Sequence, residues 1–63
     1  MNVGEKIKEY RKRLNISGKE LAQKLGVTPA LISYYEQGKR QVPLKTLMQI
    51  SEIIRVPLEY LVT

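Results

Sequence analysis

The sequence contains no cysteine and no histidine. Without cysteine, neither a disulfide nor a thiolate metal site can help hold a chain this short. Without histidine, imidazole acid–base catalysis and zinc chemistry are out of reach. The absence of cysteine also fits a reducing compartment, so a cytoplasmic location is expected. No apolar run approaches the roughly 18 residues of a membrane-spanning helix. The N-terminal stretch MNVGEKIKEYRKR alternates charge with apolar residues where a secretory leader would have an apolar centre. There is no convincing strand pattern, no repeat, no low-complexity tract and no glycine-rich phosphate loop. The six acids, Glu5, Glu9, Glu20, Glu36, Glu52 and Glu59, are spread over different helical segments and have surface or capping explanations. No serine has a base to activate it. An enzyme, a cofactor and a metal are therefore not expected.

What remains is small and basic. Sixty-three residues make one domain, residues 1–63. A chain of this size buries only about 60% of the surface its unfolded form exposes, so its core is marginal. Eleven Lys and Arg stand against six Asp and Glu, a net charge of +5. That balance favours an anionic partner: nucleic acid, an anionic membrane surface or an acidic protein. A solvated, lysine-biased surface would have the same composition.

Apolar residues recur at helical spacing along the chain. Val3, Ile7, Tyr10 and Leu14 define a first helix, which Asn15 and Ile16 break. Ser17-Gly18-Lys19-Glu20 reads as a capping box, with serine and glutamate exchanging hydrogen bonds across the first turn. The second helix buries Leu21, Ala22 and Leu25 and ends at Gly26, a residue at home in the left-handed conformation of a helix C-terminus. Thr28-Pro29 opens the third helix, threonine as N-cap and proline where its missing amide is harmless. Ile32 and Tyr35 point inward and Gly38 stops the helix. Tyr34 and Tyr35 stand about 100° apart on that helix, so Tyr35 goes to the core and Tyr34 outward. Lys39 to Val42 form a basic loop. Pro43 starts a fourth helix with Leu47, Ile50 and Ile54 on one face, and Pro57 starts a short fifth. The expectation is an all-α domain of five short helices.

Residues 18–37 are the specific part. Leu21, Ala22, Leu25, Gly26, Val27, Ile32 and Tyr35 occupy the buried positions of a helix-turn-helix. A small residue at Ala22 lets the third helix cross close over the second. Gly26 supplies the positive φ of the turn. Val27, Ile32 and Tyr35 pin the third helix to the core and leave its other face free. The segments IKEYRKRLNIS, ELAQKLGV, LISYYEQGKR and LMQISEIIRVPLEYL then carry a resemblance. From Val3 to Leu61 the chain resembles the phage-repressor type of helix-turn-helix domain, also called the xenobiotic-response-element family.

That resemblance implies a bacterial or phage regulator, often a repressor. It would lay the third helix in the DNA major groove and act as a dimer on a palindromic operator. A groove about 12 Å wide admits one helix with its side chains. Carried over by position, the base-facing residues are Thr28, Pro29, Ala30, Ser33 and Tyr34. Many family members have a glutamine where Pro29 or Ala30 stands here; these two offer only apolar contact, for example to a thymine methyl. The helix N-termini at Ser17, Gly18 and Lys19 and at Thr28 to Ala30 would face phosphates. Gly18 replaces a glutamine that commonly grips the backbone. Lys39 and Arg40 occupy positions of backbone contact, with Gln37 and Lys19 as further contacts of the same kind. Arg11 and Glu36 match family positions that pair the first helix with the end of the third.

Leu44, Met48, Ile53 and Leu58 lie off the main apolar stripe of the fourth and fifth helices and are either core filler or a dimer surface. Clustered exposed apolar residues mark interfaces and the resembled family dimerises there, so a weak homodimer contact is the expectation. A longer regulator would carry a further domain beyond this one. Two rival readings stand beside operator binding. One is a protein-interaction or antitoxin-type module using the same helices, which the weakly polar third helix suits. The other is a nonspecific DNA-coating protein.

Overall fold

The computed structural model describes residues 2–62; Met1 and Thr63, the two ends of the expected domain, lie outside the described residues. Five helices follow one another, α1 (Val3–Arg13), α2 (Gly18–Leu25), α3 (Pro29–Gln37), α4 (Leu44–Ile53) and α5 (Leu58–Val62). The described residues contain no strand.

Local chemistry sets where each helix begins. Asn2 caps α1 by accepting from the Glu5 amide at 2.9 Å while the Glu5 carboxylate accepts from the Asn2 amide at 3.4 Å. This is the reciprocal capping box. The box expected at Ser17 to Glu20 is only half formed: Ser17 Oγ accepts from the Glu20 amide at 3.0 Å, and the glutamate makes no return bond. Thr28 Oγ1 accepts from the Leu31 amide at 3.2 Å, with Pro29 at the first helical position. Pro43 is the N-cap of α4 rather than its first residue, and it supplies no side-chain cap.

Four helix ends share one device, a residue in the left-handed region. These residues are Asn15 (φ 57°), Gly26 (φ 75°), Gly38 (φ 76°) and Arg55 (φ 60°). At each, the next amide reaches back five residues: Ile16 to Arg11, Val27 to Ala22, Lys39 to Tyr34 and Val56 to Ser51, all between 2.9 and 3.1 Å. This is the Schellman closure, which satisfies carbonyls that the helix end would leave unpaired. It turns the chain sharply enough for helices of 8 to 11 residues to fold back within 26 × 23 × 19 Å.

The core is built from Ile7, Leu21, Ala22, Ile32, Tyr35, Leu47, Ile50, Ile54 and Leu61, drawn from every helix and the α4 cap. Helix α3 packs on α1 and α2, α2 also on α4, and α5 closes against α1 and α4. Three sequence expectations shift. Leu14, placed on the inward stripe of the first helix, is the C-cap of α1 and largely exposed. Gly26 is exposed, and its contribution is the turn rather than burial. Leu25 and Val27 only flank the core. Conversely, Gly4 is buried: a Cβ there would collide with the Tyr35 carbonyl and stand 2.8 Å from the Glu36 carbonyl. Glycine is thus what lets α1 touch the backbone at the end of α3.

Candidate nucleic-acid interface

Helix α3 presents two unlike sides. Ile32 and Tyr35 are buried, 2% and 6% exposed. On the opposite arc, at 100° per residue, fall Ala30, Ser33, Tyr34 and Gln37. Ala30, Tyr34 and Gln37 are exposed and Ser33 is half-buried. Thr28 and Pro29, at the start of the helix, are exposed as well. The base-facing set expected from sequence therefore lies together at one surface. Ser17, Lys19, Lys39 and Arg40 are exposed around it, and Gly18 is half-buried. A Cβ at Gly18 would meet only Ile32 Cγ2, at 3.9 Å, so packing does not require glycine there.

The electrostatics of this surface depend on Glu36, the one acid on α3. Its carboxylate is turned inward and takes a two-pronged bond from Arg11, Nε to Oε2 at 2.8 Å and Nη2 to Oε1 at 3.0 Å. The two side chains are 10% and 9% exposed. Arg11 Nη1 donates to the Ile16 carbonyl at 2.9 Å, so one guanidinium ties together α1, its C-terminal loop and the end of α3. The fork geometry is the strong form of such pairing. Its consequence is that the outward face of α3 carries no negative charge while Lys39 and Arg40 follow directly after it.

Two contacts at the site escape the sequence reading. Gln37 Nε2 donates to Ser33 Oγ at 2.7 Å. Their i, i+4 spacing on one face was the available signal. The Lys39 ammonium stands over the Tyr34 ring, 5.9 Å from its centre. Sequence spacing gives no hint of that contact, because it depends on the chain reversal at Gly38.

The expected dimer residues divide. Leu44 and Met48 are 64% and 50% exposed, one turn apart on α4. Ile53 and Leu58 are instead half-buried and pack against the core, which favours the core-filler reading for these two. Ile53 lines a cavity with Leu14, Ile16, Glu20 and Lys24, on the α1 and α2 side of the domain. Tyr60 and Val62, both 54% exposed on α5, are further apolar surface that the sequence reading left out. Among the described residues no helix is long and apolar enough to cross a membrane.

With this geometry in place, the comparisons with known proteins are decisive as to family. The helix-turn-helix family model matches residues 7–61. The chain belongs to this family, in its Cro/C1 branch. It is 40% identical over 57 residues to the uncharacterized HTH-type transcriptional regulator YqaE of Bacillus subtilis, a match covering 90% of this chain and 49% of that protein. Its fold is similar to that of the P22 c2 repressor solved with a synthetic operator, with a TM-score of 0.91 and 27% identity, covering all of this chain and 96% of the other. It is similar also to the biofilm regulator SinR solved with DNA, with a TM-score of 0.84 and 33% identity over 94% of this chain and 95% of that one. The chain spans about half the length of some curated relatives it matches and under a fifth of others. These relatives are described as regulators rather than enzymes, in agreement with the function class read from the sequence.

Proposed function

We propose that this domain binds double-stranded DNA in a sequence-specific way as part of a cytoplasmic transcriptional regulator, with α3 in the major groove of a palindromic operator. One observation carries the reading. The outward face of α3, with Ala30, Ser33, Tyr34 and Gln37, is free of core contacts and of negative charge, and a basic loop follows it. The relatives solved on DNA support it. In the mechanism, exposed amides at the N-termini of α2 and α3 and the cations Lys19, Lys39 and Arg40 take the phosphates. Thr28, Pro29 and Ala30 bring the helix close to the groove floor with small, weakly polar groups, and Ser33 and Tyr34 meet base edges. Specificity then comes from a few contacts, including methyl contacts, and from DNA shape. Occupancy of the operator blocks or recruits polymerase.

The test is a random-oligonucleotide selection with the purified chain at about 0.1 M salt, followed by salt titrations. An enriched motif supports operator binding. Replacing Lys39 and Arg40 together by alanine should weaken binding to all sequences alike and reduce the slope of log affinity against log salt by about one to two. A parent protein that enriches no motif yet binds with a steep salt slope is a nonspecific coating protein. One that ignores DNA altogether points to a protein-binding module.

A further inference from the structure

Gln37 was assigned above to backbone contact, by position. The structure gives it a different setting. Seven residues after Ala30, it lies within about 20° of it around the helix, near the middle of the outward arc that also holds Ser33 and Tyr34. Although exposed, its side chain is already restrained, since its amide nitrogen donates to Ser33 Oγ at 2.7 Å. A long side chain that is pre-ordered loses less freedom when it engages a ligand. Tyr34 is the other long side chain on that arc, and its phenol cannot offer the paired donor and acceptor of an amide; Pro29 and Ala30 end early and Glu36 is turned inward.

We propose that Gln37 is a specificity-determining residue that reads an adenine in the major groove, and that Ser33, placed at a base edge above, acts instead through Gln37 as its positioning residue. The proposal rests on the operator-binding reading and adds to it a base and the side chain that selects it. The chemistry follows from the hydrogen-bond inventory of a primary amide, which is two N–H donors and one acceptor oxygen. Ser33 takes one N–H. The other N–H and Oε1 remain as an adjacent donor and acceptor. Adenine presents the matching pair, N7 as acceptor and N6–H as donor. Guanine presents two acceptors at N7 and O6, so the amide oxygen would meet a lone pair there. Thymine and cytosine each present a single polar group on this edge. Adenine is thus the base that satisfies both remaining valences of the amide while the bond to Ser33 stays intact.

Four proteins decide the matter: the parent, Gln37→Ala, Ser33→Ala and the double variant. Each is put through the same selection and then titrated against the selected site carrying each of the four base pairs at the position in question. The parent motif should contain one adenine per half-site whose replacement weakens binding about tenfold or more. Gln37→Ala should lose that preference at that one base pair and keep the others. Ser33→Ala should weaken the same preference, and the double variant should be no flatter there than Gln37→Ala alone, as expected when one residue acts through another. Both side chains are outside the core, so all four should melt together. If Gln37→Ala lowers affinity for every sequence by one factor and leaves the motif unchanged, Gln37 is a backbone contact and the proposal is wrong while operator binding stands. If the position it controls prefers guanine, the donor–acceptor assignment is wrong. If Ser33→Ala leaves the adenine preference untouched, the positioning role is wrong. If the parent itself enriches nothing, operator binding falls, and this proposal with it.

Discussion

Arg11 decides how Glu36 is presented, and so what charge α3 shows to the outside. The pair is nearly dry, with side chains 10% and 9% exposed and both prongs within hydrogen-bond range. Such a pair can contribute little net stability, because two desolvated ions offset their own attraction, yet removing one partner strands the other. Arg11→Met should therefore destabilise the domain by about 3–5 kcal/mol, a large part of a small domain's total stability. Replacing both, Arg11→Met with Glu36→Met, should restore most of it. Urea denaturation of the parent, the single and the double variant measures both effects. Equal midpoints for single and double would mean that the stranded carboxylate is not the origin of the loss. The double variant, folded but without the tie from α1 through Ile16 to α3, should still bind DNA less tightly, since the angle of α3 is then held by packing alone.

At the scale of the helices, the end of α4 stands apart from the other three Schellman closures. Asn15, Gly26 and Gly38 are residue types that enter the left-handed region readily, whereas Arg55 at φ 60° carries a Cβ into it. Left-handed geometry costs an ordinary residue about 1–2 kcal/mol, and glycine's greater freedom in the unfolded chain cancels part of the relief from replacing it. Arg55→Gly should stabilise the domain by about 0.5–1 kcal/mol and raise its melting temperature by several degrees. A lower melting temperature would mean that the arginine side chain contributes more than its backbone loses. The same contrast explains which helix ends could be read in advance. The turn at Gly26, the start at Thr28-Pro29 and the stop at Gly38 are written in residue types with strong local preferences, and all three are where the sequence places them. Arg55 has no such preference, so its left-handed turn is not written in its residue type. Gly4 is the reverse case. Inside a helix a glycine reads as a weakness, and its necessity comes from carbonyls more than thirty residues away. The candidate site divides in the same manner. Which side of α3 faces out follows from the spacing of Ile32 and Tyr35, but the Ser33–Gln37 bond and the stacking of Lys39 on Tyr34 are products of the folded surface.

For the molecule as a whole, the remaining question is how one small domain distinguishes a site by a few contacts on one short helix. On the proposed operator reading, two copies on a palindrome would solve this, because the second binding event becomes intramolecular. The recognition helices would then lie one turn of DNA apart, roughly 34–36 Å, longer than the 26 Å greatest extent of the domain, so any contact between the copies would involve their edges. Leu44 and Met48 are the strongest candidates for that edge: a pair one turn apart on one helix face, 64% and 50% exposed. Ile53 and Leu58 are half-buried against the core and less available for such a contact. Leu44→Lys with Met48→Lys should leave the melting temperature of the isolated domain nearly unchanged, since neither side chain is in the core. It should leave affinity for a single half-site at least as high, because added positive charge favours DNA. The advantage of the full palindrome over the half-site should fall by about tenfold or more as the effective-concentration term disappears. Titration of both DNAs with parent and variant, side by side, reads this difference directly. A full-site advantage that survives both lysines would move the contact away from α4, and Tyr60 and Val62 on α5 would then be the apolar surface to test.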